Sequence, residues 1–240
     1  MPIGFRAGIV GALLLALVSP ASAQTTATPQ TTPTPQTTPA PQTTPAPAQP
    51  AAATAHVDGF RSAKWGMTEA QVKAAIRADF NIAEDKLKSS ENLAEKTEVL
   101  TTVVPDLLEG AGNAQTSYIF GFSTKELIQV NVLWGTALDP QSTPQKIVAA
   151  ADQLRALFLA SGYDPKTVVA NTKMADGSIV VFEGQDADKH STLLRLATGN
   201  VSPPDKDGKP GAPVEMATLS LSYILDAHDP DIFRLKKGSF

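Results

Sequence analysis

Apolar residues recur at helical spacing in two segments of the chain, and each segment carries a start signal. The first predicted helix begins with the capping-box pair Thr68 and Gln71. The second follows the N-cap residue Thr143, with Pro144 in its first turn and Gly162 as its expected end. The apolar stripes are formed by Val72, Ala75 and Ile76 in the first helix and by Ile147, Ala151, Leu154 and Phe158 in the second.

Elsewhere the apolar and polar residues alternate with a period of two, which is typical of strands. The predicted strands cover residues 97–104, 116–122, 127–134, 178–183, 192–198 and 217–225. Residues 82–95 are charged and weakly patterned, and they predict either a short helix or a loop. Residues 201–214 hold four prolines and two glycines and predict an exposed loop.

The strand at 127–134 has one apolar and one mixed face. Its apolar face is expected to carry Ile128, Val130, Val132 and Trp134. Gln129 and Asn131 are expected on the opposite face, flanked by Leu127 and Leu133. Because this second face is mixed, we predict that it contacts a loop or a partner, and we expect exposed apolar surface beside it.

The order of helix, strands, helix and strands, without the continuous apolar runs of a parallel sheet, predicts an α+β fold. We expect an antiparallel sheet with two main helices packed on one face. A helix followed by a hairpin occurs twice, at 68–134 and 143–198, which is compatible with an internal duplication, although the two halves share few residues.

The first 55 residues predict export and a spacer. Arg6, an apolar run over residues 7–18 and an A-x-A site ending at Ala23 predict a signal peptide over residues 1–23, which is too short to span a bilayer as a helix. Residues 24–55 carry no charge and repeat a proline-threonine-rich hexapeptide three times, so we predict a disordered spacer. Residues 56–240 are then expected to form a single domain, periplasmic or secreted.

Composition excludes several classes of function. After cleavage, 19 basic residues face 24 acidic ones, because the signal contains one basic residue and no acidic one. This acidic balance argues against nucleic-acid binding and against docking on anionic lipid. The chain contains no cysteine, which excludes disulfides, thiolate catalysis and cysteine-ligated metals. No stable membrane insertion is expected once the signal is removed.

The stretch over residues 65–72, WGMTEAQV, resembles the helix opening of the SmpA/OmlA (BamE)-like small envelope proteins, and Tyr118-Ile119-Phe120 fits their Y-x-F strand. That resemblance implies two helices on a small antiparallel sheet and a role in assembly or binding. The family's lipidation cysteine and its LG-x-P motif are missing here. Residues 59–134 look more like uncharacterised exported proteobacterial proteins that share an F-R-S-A-x-x-G-M opening, a resemblance that implies a compartment and a fold.

Histidines and acids in two turns are the candidate metal ligands. His190 follows Asp186 in one turn, and His228 follows Asp226 in another. Histidine and aspartate side chains can bind a divalent ion together, which would make these turns a metal site. Aspartate is also common in turns for structural reasons, so a metal site and a purely structural role both stay open. No cofactor is predicted.

No catalytic motif identifies an enzyme. The chain lacks G-x-S-x-G, H-E-x-x-H, S-x-x-K and the glycine-rich phosphate loops. Trp65 and Trp134 are candidates for ligand stacking, although core packing is the commoner role.

The sequence therefore predicts a non-enzymatic module of the cell envelope that binds another envelope protein or a peptide. The alternative is a periplasmic protein that binds a small ligand or a metal. A hydrolase is the third hypothesis, and it requires a perturbed acid or base in a cleft.

Overall fold

The computed structural model describes residues 54–235 and residue 238, and these residues form an α+β fold. The predicted signal peptide and all but the last two residues of the predicted spacer lie outside the described residues. Ala55 is buried and its amide donates to the carbonyl of Gly162 (3.0 Å), so the folded unit starts at least one residue earlier than predicted. Within the described part of the chain, no helix has both the length and the apolar character needed to cross a membrane.

Two α-helices and ten strands occur in the part of the chain that the structure describes. The helices are α1 (Glu69–Phe80) and α2 (Pro144–Ala160). A small hairpin precedes α1 and consists of β1 (Gly59–Phe60) and β2 (Ala63–Lys64). The remaining strands are β3 (Lys88–Asn92), β4 (Thr97–Leu108), β5 (Gly112–Phe120), β6 (Leu127–Gly135), β7 (Val169–Lys173), β8 (Ile179–Gln185), β9 (Ser191–Val201) and β10 (Val214–Ile224).

Eight strands form one antiparallel sheet in the order β3-β4-β5-β6-β10-β9-β8-β7. The chain therefore builds a meander from β3 to β6, crosses the sheet through α2 and returns from β7 to β10. The two halves of the sheet are joined by β10, the last strand in the sequence, which pairs with β6 in the middle of the sheet.

Both helices pack on the same face of this sheet, as predicted. Their buried residues share one hydrophobic core with the inward side chains of the central strands. The largest fully buried side chains are Tyr118, Phe120, Phe182, Ile76, Leu100, Leu127, Ile147, Leu194 and Leu219.

The helix starts follow the local signals in the sequence. Thr68 N donates to the Gln71 side chain (2.9 Å), and Lys146 N donates to the Thr143 hydroxyl (3.3 Å). α2 ends at Ala160, just before Gly162, whose φ of +80° is readily available to glycine.

Three predictions of secondary structure need correction, one for a strand and two for segments predicted without a strand. Residues 82–95 contain one turn of 3₁₀ helix and the edge strand β3. β4 continues past Pro105, because Asp106 adopts a φ of +46° and the pairing with β5 shifts at this point. The predicted loop at 201–214 is shortened, since β9 and β10 pair out to Val201 and Val214.

The C-terminal segment is held against the β5–β6 turn by hydrogen bonds. Asp231 accepts hydrogen bonds from the amides of Ser123 and Thr124 (3.0 and 2.9 Å), and Phe233 N donates to Glu95 O (2.8 Å). The Phe233 ring packs edge-on against Phe122, with ring centroids 5.5 Å apart. Residues 229–233 thereby join turns that are far apart in sequence.

Candidate functional site

The face of the large sheet opposite the helices is the most extended candidate surface. Within the described residues neither helix lies on this face, because all the buried helix residues belong to the core on the other side. On the four neighbouring strands β4, β5, β6 and β10, its side chains from the Val99 row to the Val103 row are half-buried or exposed. We call this surface the open face.

Register aligns the open-face side chains into rows that cross the strands. The central row contains Thr101, Ser117, Asn131 and Ser222. The rows on either side contain Val103, Gln115, Leu133 and Ser220, and Val99, Ile119, Gln129 and Ile224. Five of these twelve side chains are aliphatic and seven are small or amide-bearing, and none is charged.

The lack of charge is unusual for an antiparallel sheet face that water can reach. Such a face normally carries polar and charged residues, and charge is depleted mainly at the centre of protein interfaces. Charges on this side of the sheet begin on the strands next to these four, with Lys88 on β3 and Arg195 on β9, where Arg195 pairs with Asp176. Glu183 lies one strand further out, on β8. The twelve aligned side chains therefore have the composition of an interface centre and are bordered by charged residues on both sides.

Hydrogen bonds between neighbouring side chains organise this surface. Gln129 Nε2 donates to Asn131 Oδ1 (2.9 Å), and the hydroxyls of Thr101 and Ser117 are 3.2 Å apart. These contacts reduce the rotamer freedom that a partner would otherwise have to remove on binding.

Three of the four residues predicted to contact a partner lie on the open face, namely Gln129, Asn131 and Leu133. The prediction for Leu127 is wrong, because Leu127 is fully buried in the core. The β5–β6 pairing skips Ile128, so that Gln129 pairs with Ile119 and Leu127 pairs with Phe120. This bulge turns Leu127 to the inner face, and a strict alternation in the sequence cannot show it.

A second candidate is an acidic pocket at one end of the sheet, with a volume of about 420 Å³. The bulged residue Ile128 lies in its lining, next to the C-terminal end of β10. The titratable residues in its lining are Glu126, Asp188, His190, Asp226, Asp229 and Asp231. Among the residues that the structure describes, no lysine or arginine lines it, so this lining favours a cation over an anion.

Hydrogen bonds within the protein already occupy several of these carboxylates. Asp226 accepts from the amides of His228 and Asp229 (2.8 and 2.9 Å), and these bonds lower its pKa. Burial raises the pKa of Asp231, but its hydrogen bonds to Thr124 and Ser123 outweigh burial and hold that pKa below its usual range. Asp229 pairs with Arg234 at 2.7 Å.

The structure separates the four candidate metal ligands. His190 and Asp226 line the same pocket, whereas His228 lies on an exposed turn outside it. Asp186 is buried behind His190, with its Oδ2 3.4 Å from His190 Nδ1. The sequence analysis missed His56, whose side chain lies within 4.8 Å of oxygens of Asp186 and Asp188.

Asp186 acts as a structural anchor between two parts of the chain. Its Oδ2 accepts from Val57 N (2.8 Å), and its Oδ1 accepts from the amides of Asp188 and His190 (3.0 and 2.9 Å). The buried carboxylate thus satisfies a backbone donor of the N-terminal segment and closes the β8–β9 turn. These bonds leave little of its capacity for a metal ion.

Another cavity, of about 750 Å³, lies between α1 and the β5–β6 turn and is lined by charged residues of both signs. Lys73 contacts Glu69 at 3.0 Å and Glu84 at 3.5 Å, and Lys125 contacts Glu98 at 3.2 Å. Arg77 and Glu126 also line this groove, so that its lining carries charges of both signs and neither sign dominates.

The two tryptophans serve packing. Trp65 Nε1 donates to Val57 O (2.7 Å), and its ring lies edge-on to His190 with centroids 6.2 Å apart. Trp134 is buried in the core, and its Nε1 has no hydrogen-bond partner among the residues that the structure describes.

The shifted carboxyl groups have structural causes. Hydrogen bonds from Asn113 and Gln141 lower the pKa of Asp139, and hydrogen bonds from Ser178 lower the pKa of Asp176. Burial raises the pKa of Tyr118 and Tyr223, two core residues. Each shift is explained by a cap, a turn or core burial.

Comparisons with known proteins add no relative: no family model, no curated protein and no solved structure matches this chain.

Proposed function

We propose that this protein is a non-enzymatic binding module of the cell envelope and that the open face is its binding surface. The observation that carries the proposal is the absence of charge from twelve aligned side chains on the four neighbouring strands β4, β5, β6 and β10. The acidic composition, the export signal and spacer predicted from the sequence, and the resemblance to envelope proteins support the cellular setting.

The open face suits a flat protein surface better than a small molecule. None of its twelve aligned side chains is aromatic, and Gln129 and Ile224, which border the acidic pocket, lie at one end of the rows. Its mixture of aliphatic side chains with amides and hydroxyls provides both apolar contact and hydrogen bonds, as interface centres do.

Site-specific photocrosslinking in the native cells tests this proposal. A photoreactive amino acid is placed at Asn131 on the open face or at Gln153, an exposed residue of α2 on the other side of the sheet. We expect a discrete crosslinked product from Asn131 and none from Gln153. Equal products from both positions, or none from Asn131, would contradict the assignment of the open face as a binding surface.

A second candidate function is the binding of a small cation in the acidic pocket. It is favoured by the convergence of His190, Glu126 and Asp226 on a cavity of about 420 Å³, within the size range of ligand pockets. Thermal-shift measurements with Zn²⁺, Ca²⁺ and spermidine test it. A rise in melting temperature that is lost in Glu126→Gln supports this function, and no rise with any of the three rejects it for these ligands.

A further inference from the structure

We propose that the partner of the open face is a polypeptide that carries a lysine or arginine side chain into the acidic pocket while its uncharged residues cover the open face. This inference rests on the proposed function, because it names the chemistry of the partner that the same surface binds. It also joins the two candidate sites into one, since a single partner occupies both.

The open face and the acidic pocket share two residues. Gln129 of β6 and Ile224 of β10 pair across the two strands, belong to an outer row of the open face and line the pocket. From this row the pocket continues to the β5–β6 turn and to the segment after β10, through Glu126, Asp226 and Pro230. A partner that lies on the open face therefore reaches the pocket directly from that row.

Three carboxylates of the pocket keep oxygens that other residues in the described part of the chain do not occupy. Glu126 hydrogen-bonds through its backbone alone, and its Oε2 lies 3.6 Å from where a Cβ on Gly66, another lining residue, would be. Both amides bound by Asp226 donate to Oδ1, so that Oδ2 is available. The Asp188 side chain is 62% exposed and lies 3.7 Å from His56 Nδ1. These oxygens can accept hydrogen bonds from a cation that enters the pocket.

The basic residues next to the pocket do not cancel its negative charge. Arg234 pairs with Asp229 at 2.7 Å, and Lys125 pairs with Glu98 at 3.2 Å. Lys189 lies in the β8–β9 turn, outside the lining. The lining itself contains five carboxylates, on Glu126, Asp188, Asp226, Asp229 and Asp231. Charge complementarity therefore selects a partner with a positive group at this position and uncharged groups over the open face.

The spacing of the carboxylates fits an ammonium or guanidinium group better than a bare metal ion. A divalent ion needs several ligand atoms that converge on one point. Among the residues that the structure describes, one group of three histidine or acidic side chains has its ligand atoms within 4.8 Å of one another, namely His56, Asp186 and Asp188. Glu126 and Asp226 belong to no such group. The head group of lysine or arginine carries several donors and can bind carboxylates on different sides.

The apolar residues of the pocket favour a cation that is carried by a side chain. Ile128, Ile224, Leu225 and Pro230 line the pocket beside the acids. The methylene groups of lysine and arginine pack on such apolar surface while the charged end stays with polar partners. The cavity of about 420 Å³ is within the size range of ligand pockets, so it can hold one such side chain.

The open face also sets a spacing in the partner. Its three rows are two residues apart along each strand, so they span roughly 14 Å, the length of about four residues of extended chain. In a partner segment that runs along the strands, we expect the basic residue directly before or after an uncharged run of at least this length.

Selection from a phage-displayed library of random dodecapeptides tests the inference, with the full exported chain as the target. Glu126→Gln and Asp188→Asn, combined in one chain, remove two charges from the pocket with little change of shape. The control Glu109→Gln removes a charge from the β4–β5 turn at the other end of the sheet, and Asn131→Arg obstructs the middle of the open face. Circular dichroism and urea unfolding confirm that each variant is folded.

We expect the wild-type chain and Glu109→Gln to select peptides with one lysine or arginine next to an uncharged run. In isothermal titration calorimetry, a selected peptide should bind about fivefold more weakly or worse to the double pocket variant and to Asn131→Arg. Replacement of the peptide's basic residue by glutamine should cost little further affinity in the double pocket variant, because both changes remove the same contact.

A selection without an enriched basic residue would overturn the inference, and so would additive losses from the peptide and pocket substitutions. Peptide binding that Asn131→Arg leaves unchanged would also overturn it, because the pocket would then bind a cation without the open face. The proposed function is judged separately by the crosslink at Asn131 in cells. A crosslinked product that persists unchanged in the double pocket variant would keep the open face as a binding surface and reject the pocket as the site of a basic side chain.

Discussion

Replacement of Asp186 by alanine is the sharpest test of how the N-terminal segment is held to the domain. The carboxylate is buried and accepts three backbone hydrogen bonds, from Val57, Asp188 and His190. Val57 is itself buried, so its amide would lose its only side-chain acceptor in a place that water does not reach. The other two donors lie in a turn, where water can replace the lost acceptor.

The magnitude follows from this difference between buried and exposed donors. A buried donor without a partner costs about 1–3 kcal/mol, and each of the two turn donors loses about 0.5 kcal/mol when water takes over. We therefore expect Asp186→Ala to lower the free energy of unfolding by about 2–4 kcal/mol. For a domain of this size the melting temperature should fall by about 5–15 °C.

Urea unfolding followed by circular dichroism measures the loss, and Asp188→Ala is the matched control. Asp188 is an exposed residue of the same turn, and its carboxylate lies 3.7 Å from His56 Nδ1. Asp186→Asn should fall between the wild type and Asp186→Ala, because the amide keeps one acceptor oxygen. If Asp186→Ala lowered the free energy of unfolding by less than about 0.5 kcal/mol, as little as the control, the buried carboxylate would not hold the N-terminal segment as inferred.

Three further predictions concern the turns and caps. Gly112 has a φ of +81° and a Cβ there would lie 2.5 Å from Ser142 Oγ and 2.6 Å from Asp139 Oδ2, so Gly112→Ala should destabilise by about 1–3 kcal/mol in urea unfolding, and an unchanged midpoint would contradict this. Because the pKa of Asp231 is lowered in the folded state, its contribution to the free energy of unfolding is present above about pH 4 and is lost as the pH falls through the folded pKa. Asp231→Asn should therefore make the loss of stability on acidification less steep. An equally steep loss would contradict the role of Asp231. Thr143→Ala should lower the free energy of unfolding by about 1 kcal/mol, because α2 loses its N-cap hydrogen bond. Urea unfolding compares it with the control Gln153→Ala, and an equal effect of both substitutions would exclude a stabilising cap.

The sequence predicted the two helices and the α+β class well, because their signals are local. The capping residues at Thr68 and Thr143 act on amides within three residues, and the apolar stripes follow from helical spacing alone. The alternation in β6 also predicted that Gln129, Asn131 and Leu133 share one face.

The edge strands β3 and β7 gave no such signal. All of their residues are exposed, so no apolar face exists to produce an alternation. They are strands only because a neighbouring strand offers hydrogen bonds, and the sequence of a short polar segment does not contain that information.

The candidate sites also depend on contacts between distant segments, which the sequence pattern does not show. The pairing of β6 with β10 joins segments about 90 residues apart, and only that pairing aligns Asn131 with Ser222 in one uncharged row. The bulge that turns Leu127 inward depends on the register with β5. The meeting of His190 and Asp226 at one pocket depends on two separate turns being brought to the same end of the sheet.

The sequence by itself thus determined the elements with local causes: where the helices begin, which strand faces are apolar, and which classes of chemistry the missing cysteines and the acidic balance exclude. Only the tertiary structure decided which strands are neighbours, where the register shifts, and that twelve side chains of four neighbouring strands form one uncharged surface. The reason is that capping and periodicity act between residues a few positions apart, whereas a surface is composed of residues that the chain brings together from distant segments.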